Sequence, residues 1–437
     1  MKVHLRMLGC RLNQSEIDMM ARQLQAQGHE IVDAAEQADW FVVNTCAVTQ
    51  DAVRSSRRLV RDLHHANTAA QISVTGCYAQ IAPDEIRTLS GVAAESIHIV
   101  DNHGKDTLVE KITGVRVQPF DHEPISRDAH PGAAGRTRAF IKVQDGCDNA
   151  CTFCVTTVAR GAGRSRSIGE IMAEIRALHA SGYQEAVLTG VHLGSYGYDL
   201  GDHAGLIHLV RAILGDTDLP RLRLSSLEPW DLAPDFFTLW DNPRLGRHLH
   251  LPLQSGCDAT LRRMARHTNQ VEFRALIQAA RTAIPNVNIT TDVIVGFPGE
   301  TDEEFAVSTD FIAEMAFSGM HIFRYSKRPG TAAARMKNHL AEAVKKQRSS
   351  QLHTLAAAME AEFARQALNQ TENVLWENIS GVTQDGFINV GYTDHYIRVR
   401  AVHPRVLTNH ITPVQMESYD EMLHIMNVTP ILHPEIV

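Results

Sequence analysis

Short apolar runs alternate with amphipathic stretches over the first 115 residues of the chain. Ile17, Met20 and Leu24 recur at helical spacing, so residues 14–27 are predicted to form a helix that ends at Gly28. Apolar runs predict strands at 3–8, 40–43, 72–74 and 97–100. Strands that alternate with helices indicate an open parallel sheet with helices on both faces, so residues 1–115 are predicted to form an α/β domain.

The same alternation resumes after residue 139 and continues to about residue 369. The predicted strands are 140–144, 186–190, 222–226, 249–253, 291–295 and 320–324. The predicted helices are 168–180, 258–266, 270–283 and 302–315, followed by one long connecting helix at 340–369. Strand–helix units of this number and size predict a partial (β/α)6 barrel, whose chemistry lies at the C-terminal rim of the strands.

Two further segments have a different pattern. Prolines amid polar residues over 116–138 predict a linker. In the last segment, 370–437, short strands broken by glycines at 374–376, 386–390 and 396–400 predict a small β-barrel. The fold class is therefore α/β with an additional C-terminal β-domain.

The composition is that of an ordinary globular protein, with 44% hydrophobic and 21% charged residues and a formal net charge of −8. Such a chain lacks the basic domain of many nucleic-acid-binding proteins, so any RNA contact must come from local patches. No apolar run approaches the ~18 residues of a membrane helix, and the N-terminus lacks a signal peptide, which predicts a cytoplasmic protein without a membrane partner. The odd number of cysteines, 7, favours metal-binding or reactive thiols over a disulfide framework.

The most informative motif is a C-x3-C-x2-C run formed by Cys147, Cys151 and Cys154. Three thiolates on one loop can hold three corners of an iron–sulfur cube and leave the fourth iron open to a substrate or cofactor. This spacing is typical of radical S-adenosylmethionine (SAM) enzymes, whose loops usually carry an aromatic residue at the position of Phe153. The alternative is half of a zinc site, although structural zinc cysteines usually come with a second Cys or His pair.

Three other cysteines each follow a predicted strand of the first domain. They are Cys10, Cys46 and Cys77. Ligands of open parallel sheets bind outside the C-terminal strand ends, so these cysteines are predicted to converge on one rim. A second cluster is one interpretation of that convergence, and three buried structural cysteines are the other.

Several longer motifs resemble one family over nearly the whole chain. They lie at 8–16, 44–49, 75–80, 147–161, 223–229, 248–257 and 292–300. On these residues the chain resembles the methylthiotransferases of the radical SAM superfamily. The stretches 253–261, 326–331 and 391–399 are most similar to the subgroup that acts on tRNA threonylcarbamoyladenosine. Two features depart from the family pattern: Val-Thr-Thr-Val follows Cys154, and the residues after about Tyr419 extend beyond the usual end of the β-domain.

The resemblance implies two 4Fe–4S clusters, held by the two cysteine sets, together with SAM and an RNA-binding C-terminal β-barrel of the TRAM type. It implies reductive cleavage of SAM, removal of hydrogen from carbon two of the adenine, and addition of sulfur and a methyl group there. Cys147, Cys151 and Cys154 would be the catalytic ligands. The expected partners are a tRNA substrate and an electron donor such as flavodoxin or ferredoxin, with the sulfur donor left open.

Residues at the predicted strand ends of the barrel are candidates for SAM binding, besides Phe153. They are Gly190, Ser226, Glu228, Gln254, Ser255 and Gly296, where a missing side chain would let the adenine lie close. The alternative for each is a turn or cap residue.

Two groups of arginines are candidates for RNA contact. They are Arg54, Arg57, Arg58 and Arg61 at helical spacing, and Arg398 and Arg400 on a β-domain strand. A solvated charged face is the alternative.

Three other functions remain open at this point. The first is a methylthiotransferase that acts on isopentenyladenosine in tRNA, and the second is one that acts on an aspartate of a small-subunit ribosomal protein. The third is a non-catalytic iron–sulfur or zinc RNA-binding protein.

Overall fold

The computed structural model describes residues 1–117 and 137–431. Residues 118–136 of the expected linker, and the end of the chain from 432, lie outside the described residues. The three predicted architectures are present, and the predicted fold class is confirmed. Within the described residues, no helix combines the length and apolar character needed to cross a membrane.

The N-terminal portion is a five-stranded parallel sheet in the order β2-β1-β3-β4-β5. Its strands are β1 (Lys2–Met7), β2 (Glu30–Ile31), β3 (Trp40–Thr45), β4 (Gln71–Gly76) and β5 (Ile97–Ile99). Its helices are α1 (Arg11–Ala26), α2 (Gln50–Ala66), α3 (Cys77–Ile81), α4 (Pro83–Arg87) and α5 (Leu108–Thr113). Separate apolar clusters cover the two faces of the sheet, one including Phe41 and Ile72 and the other Met20 and Val42.

The central portion contains eight strands. They are β6 (Arg138–Lys142), β7 (Gln144–Asp145), β8 (Arg164–Ser165), β9 (Glu185–Thr189), β10 (Arg221–Leu224), β11 (His248–His250), β12 (Asn288–Val295) and β13 (Gly319–Arg324). Two parallel three-stranded sheets, β10-β9-β6 and β11-β12-β13, meet where Ser226 bridges His250 in parallel. The result is a curved wall of parallel strands, as expected for a partial barrel, while β7 and β8 form a separate pair.

Seven helices follow the strands within the described part of this portion. They are α6 (Thr156–Arg160), α7 (Ile168–Ala180), α8 (Gly205–Asp216), α9 (Asp258–Arg263), α10 (Gln270–Ala283), α11 (Asp302–Met315) and α12 (Glu342–Gln366). Ser167 and Thr301 form capping boxes that fix the starts of α7 and α11. The long α12 packs along β13 and reaches the C-terminal β-domain.

The C-terminal portion is a closed barrel in the order β14-β15-β16-β18-β17. Its strands are β14 (Thr371–Thr383), β15 (Gly386–Thr393), β16 (Arg398–His403), β17 (Ile411–Asp420) and β18 (Ile425–Pro430). The expectation that residues after about Tyr419 extend beyond the barrel is wrong for β18, which pairs with both β17 and β16 and closes it. The buried Trp376 fills the barrel, and its indole Nε1 donates to Thr412 Oγ1 at 2.7 Å.

Candidate functional site

Cys147, Cys151 and Cys154, the loop site, lie on the loop between β7 and α6. Gly146 begins the loop with φ of +73°, and a Cβ there would lie 1.9 Å from the carbonyl oxygen of Ala162. Only glycine fits this close approach in a left-handed conformation. The turn at Gly146 therefore directs the chain into the loop that carries the three cysteines.

Each sulfur of the loop site accepts a hydrogen bond. The backbone N–H groups of Asn149 and Thr156 donate to the Sγ atoms of Cys147 and Cys154, at 3.4 and 3.3 Å. Arg266 Nη1 lies 3.7 Å from Cys151 Sγ. Burial raises the pKa of Cys151 to about 11, although the Arg266 charge opposes the shift. Burial therefore disfavours the Cys151 thiolate in the absence of a bound cation, which fits a metal-cluster site.

Arg266 is a functional candidate that sequence reasoning missed. Its guanidinium lies against the Trp230 ring at 4.4 Å, donates to the Pro252 carbonyl at 2.5 Å, and pairs with Glu228 at 2.6 Å. The side chain is almost fully buried beside Cys151. No local pattern in the sequence marks this arginine, because all its partners come from other strand ends.

His192 completes the surroundings of the loop site. Its Nε2 lies 2.5 Å from Asp231 Oδ2, and its Nδ1 lies 3.4 Å from Asn149 Nδ2. Burial lowers the pKa of His192, but hydrogen bonds to Asp231 and Cys147 outweigh it and raise the pKa to about 10. The raised pKa favours a protonated imidazole, whose positive charge would complement thiolates at the loop site.

Cys10, Cys46 and Cys77, the rim site, follow β1, β3 and β4, which are neighbours in the sheet. Cys10 is exposed, whereas Cys46 and Cys77 are buried. A Cβ added to Gly9 would lie 2.9 Å from Cys46 Sγ, which places Cys46 against the residue preceding Cys10. Burial raises the pKa of Cys46 to about 11, and the charges of Cys77 and Cys10 add to the shift.

The spacing of the sulfurs bears on the zinc alternative. A single zinc ion with Zn–S bonds of about 2.3 Å holds its thiolates roughly 3.8 Å apart. Over 1–117 and 137–431, three candidate ligand atoms within 4.8 Å of one another occur at Glu372, Asp394 and His395, and at neither cysteine site. In each cysteine site at least one pair of sulfurs is therefore more than 4.8 Å apart, farther than a single zinc ion would hold them.

A buried network of charges, here called the bridging network, joins the two cysteine sites. Glu16 lies in α1, the helix that follows Cys10. Its carboxylate accepts from Lys105 Nζ at 2.8 Å and from Arg160 Nη1 at 3.0 Å. Arg160 also donates to Asp145 at 2.8 Å, close to Cys147. Burial disfavours the Glu16 carboxylate, but Lys105, Arg160 and Lys142 lower its pKa well below the ordinary value. The network fixes the N-terminal sheet against the loop site.

A cavity of about 800 Å³, the central cavity, lies between the three portions. Its walls include Cys10 and Arg11 of the N-terminal sheet, Gly190 and Ser226 of the barrel, and Tyr396 of the β-domain. Ser225 also lines it, and its buried Oγ has no hydrogen-bond partner within the described part of the chain. A smaller cavity of about 180 Å³ adjoins it, lined by Phe153, Cys154 and Gln254 among others.

The structure places the predicted SAM-binding residues in different settings. Gly190 and Ser226 line the central cavity, and Phe153 and Gln254 line the smaller one. Ser255 is buried, and its hydroxyl accepts from the Cys257 N–H. Glu228 is paired with Arg266.

Gly296 is glycine for a different reason from the one expected. A Cβ there would lie 2.4 Å from Lys345 Cγ of α12. The expectation that the missing side chain makes room for an adenine is therefore wrong, because the lysine stem occupies that space.

The predicted RNA-contacting arginines are also divided. Arg54 and Arg58 are exposed, next to Asp51 and Asp62. Arg57 pairs with Glu85 and donates to the Tyr78 hydroxyl, and Arg61 is half-buried.

The two β16 arginines differ in the same way. Arg400 pairs with Asp420 at 3.0 Å. Arg398 is exposed and lines the central cavity.

Residues 2–96 match the family described as "Uncharacterized protein family UPF0004", and residues 141–312 match the radical SAM superfamily. A structure of the radical S-adenosylmethionine methyltransferase TsrM from Kitasatospora setae shares the fold, with a TM-score of 0.57. The two are 16% identical, and the match covers 76% of this chain and 77% of that one. Fold and loop site thus define a radical SAM enzyme, a class that implies SAM and a 4Fe–4S cluster.

Comparison with named relatives shows which family of radical SAM enzymes the chain belongs to. "Threonylcarbamoyladenosine tRNA methylthiotransferase MtaB" of Thermotoga maritima is 35% identical over 435 residues, 96% of each protein. The Bacillus subtilis protein of that name is 36% identical, over 90% of this chain and 88% of its own length. A "tRNA-2-methylthio-N(6)-dimethylallyladenosine synthase" of Parafrankia sp. is 34% identical, over 87% of this chain and 81% of its own length. The chain belongs to the radical SAM tRNA methylthiotransferase family.

Proposed function

We propose that this enzyme inserts sulfur and a methyl group at carbon two of N6-threonylcarbamoyladenosine in tRNA. One observation carries the proposal: the central cavity is lined both by Cys10 of the rim site and by Gly190 and Ser226 at the barrel strand ends. A base in this cavity would contact both cysteine-bearing portions at once. The relatives from Thermotoga maritima and Bacillus subtilis, by their names, support the choice of base.

We infer that the loop site holds the 4Fe–4S cluster that binds SAM and that the rim site holds a second one. When bound, these groups and SAM supply the radical, the sulfur and the methyl group, which protein side chains cannot supply. The protein positions them and excludes water. The hydrogen bonds to the three loop-site sulfurs and the buried, unpartnered Ser225 hydroxyl fit such a group.

Arg266 and Glu228 are assigned to the amino-acid end of SAM. The Arg266 guanidinium presents a planar fork of donors next to Cys151, which suits a carboxylate. Glu228 accepts from Arg266 and retains an oxygen for an ammonium group. Arg266 is buried and Glu228 is half-buried, so the guanidinium charge acts in a low dielectric while the carboxylate stays accessible to a ligand.

Nucleoside mass analysis of tRNA from cells lacking the gene tests the proposed substrate. The 2-methylthio derivative of threonylcarbamoyladenosine should disappear, while its unmethylthiolated precursor accumulates. Complementation with the intact gene should restore it. Persistence of that nucleoside would overturn the proposal.

A second substrate, isopentenyladenosine, is favoured by the relative from Parafrankia sp.. The same mass analysis separates the two, because each predicts the loss of a different methylthio-nucleoside. Electron supply by a flavodoxin or ferredoxin belongs to the proposal and is tested by reconstituting turnover with each purified donor.

A further inference from the structure

The central cavity carries positive charge that its own residues do not neutralise. Its lining carboxylates, Asp292 and Glu360, each have a histidine partner: His250 Nε2 at 3.3 Å and His424 Nδ1 at 3.2 Å. Two guanidinium groups, those of Arg11 and Arg398, also line the cavity. Neither forms an ion pair with any residue in 1–117 or 137–431.

Other arginines in the same region, unlike Arg11 and Arg398, have carboxylate partners. Arg138 and Arg223, like Arg11, lie against the Tyr396 ring. Arg223 is buried and Arg138 is half-buried, and both have carboxylate partners, Glu185 at 2.8 Å and Glu377 at 2.5 Å. Arginines that support the fold here are thus neutralised, whereas those facing the cavity keep their charge available.

The two unpaired guanidinium groups come from different portions of the molecule. Arg11 directly follows Cys10, and its Nη2 donates to the Tyr396 hydroxyl at 3.0 Å. That contact orients the guanidinium without neutralising it. Arg398 begins β16 in the C-terminal barrel and is exposed. An anion in the cavity would therefore be held by both the N-terminal sheet and the β-domain.

We propose that Arg11 and Arg398 bind the carboxylate of the threonylcarbamoyl group and so select a base whose N6 substituent is anionic. This inference rests on the proposed function. Guanidinium groups bind carboxylates through two parallel hydrogen bonds. An apolar N6 substituent would instead desolvate both arginines without giving them a partner, which a site built for a polar group rejects strongly.

The alternative ligand for these two arginines is a tRNA phosphate, which is also an oxyanion. The test therefore uses anticodon stem-loops that are identical except at the N6 substituent: threonylcarbamoyl, its methyl ester, and isopentenyl. Dissociation constants are measured by fluorescence anisotropy on anaerobically reconstituted, full-length enzyme at several salt concentrations. The wild type should bind the acid more tightly than the ester by about 10- to 100-fold.

Arg398→Gln and Arg11→Gln should each lower this acid-to-ester ratio several-fold and leave affinity for the ester nearly unchanged. Arg405→Gln is the matched control, since it removes an exposed arginine of the same β-domain outside the cavity lining, and it should keep the wild-type ratio. Thermal unfolding and iron content verify that each variant is folded and loaded. Arg398 is exposed, so its variant should fold normally even if Arg11→Gln does not.

Four outcomes would overturn the inference. A wild-type ratio near one would mean that the carboxylate is not recognised. Equal weakening of acid and ester, with a shallower salt dependence, would assign the arginines to phosphate. If the wild-type enzyme modified only the isopentenyl stem-loop, the proposed function would fail as well. If it modified the acid but both variants kept the wild-type acid-to-ester ratio, only this inference would fail.

Discussion

The loop site and the rim site present the same kind of donor set but are built in opposite ways. Cys147, Cys151 and Cys154 lie on one loop, so the turn at Gly146 is enough to bring them together. Cys10, Cys46 and Cys77 are distant in sequence and meet only because β1, β3 and β4 are adjacent in one sheet. The loop site is therefore encoded locally, whereas the rim site depends on the whole N-terminal fold.

The two sites also differ in their access to solvent. All three loop-site cysteines are partly exposed, whereas Cys46 and Cys77 are buried and Cys10 alone opens to the central cavity. A group at the rim site would thus present a single face to the base. This difference suits a division of labour in which one site begins the reaction and the other delivers an atom to the product.

The largest effect should come from the loop site. Cys151→Ala removes one of the three proposed cluster ligands, so reductive cleavage of SAM should fall to background. The measurement is deoxyadenosine formation by anaerobic enzyme supplied with a chemical reductant. Cys257→Ala, which removes a buried cysteine outside both sites, should keep wild-type cleavage. Wild-type cleavage by Cys151→Ala would disprove the assignment of the loop site.

The rim site should separate cleavage from product formation. Cys46→Ala should cleave SAM at close to the wild-type rate, form no methylthiolated tRNA, and contain half the iron of the wild type. Deoxyadenosine, nucleoside mass and iron assays on one preparation measure all three. If Cys46→Ala still methylthiolates tRNA fully, the two sites do not divide the reaction as proposed.

The bridging network makes the two sites structurally dependent on each other. Glu16→Gln should destabilise the protein by about 3–5 kcal/mol, because it leaves Lys105 buried without a carboxylate partner and Arg160 with Asp145 alone. Chemical denaturation at neutral pH measures the loss. Glu314→Gln, which removes a solvent-exposed partner of Arg274, is the control and should leave the unfolding midpoint unchanged.

The pH dependence of this loss has a definite sign. The folded-state pKa of Glu16 lies below its ordinary value of 4.5, so its stabilisation is complete above that pH and is lost as the pH falls further. The deficit of Glu16→Gln should therefore be constant from pH 8 to about 5 and should narrow in more acidic solution. A deficit that instead widens on acidification would exclude the ionised carboxylate.

The smallest effect should come from the surface of α2, which follows the rim site. Arg58 is exposed, so Arg58→Glu should weaken tRNA binding about threefold at low salt and reduce the salt slope by about one. The corresponding change at Arg57 should mainly lower stability, because Arg57 is engaged by Glu85 and Tyr78. Unchanged tRNA affinity of Arg58→Glu would remove α2 from the interface.

Sequence patterns predicted the elements that local periodicity determines. The helix expected at 168–180 is α7, Ile168–Ala180, and the strand expected at 320–324 lies within β13. Pairing between strands that are distant in sequence leaves no such local pattern. The two-residue β2 was not expected, and β18 was taken for an extension because its parallel partner β16 is not its neighbour along the chain.

The same limit applies to the site. Cysteine positions could be predicted because spacing and strand ends are local features. Arg160, Arg266 and Arg11 could not, since their importance comes from partners more than thirty residues away that only the folded chain assembles. Gly296 was identified as a special residue, but its observed contact, Lys345, gave a different reason.

The contact between Arg160 and Glu16 limits how this enzyme can be dissected. Arg160 belongs to the central portion, yet the acid and amide that hold it, Glu16 and Asn13, belong to the first helix. Expressing residues 137–431 alone would remove both of these partners, leave Arg160 with Asp145, and expose the surface that the first helix covers. A split gene, or a chimera assembled from two relatives, would have to carry both halves of this contact together to yield a folded product.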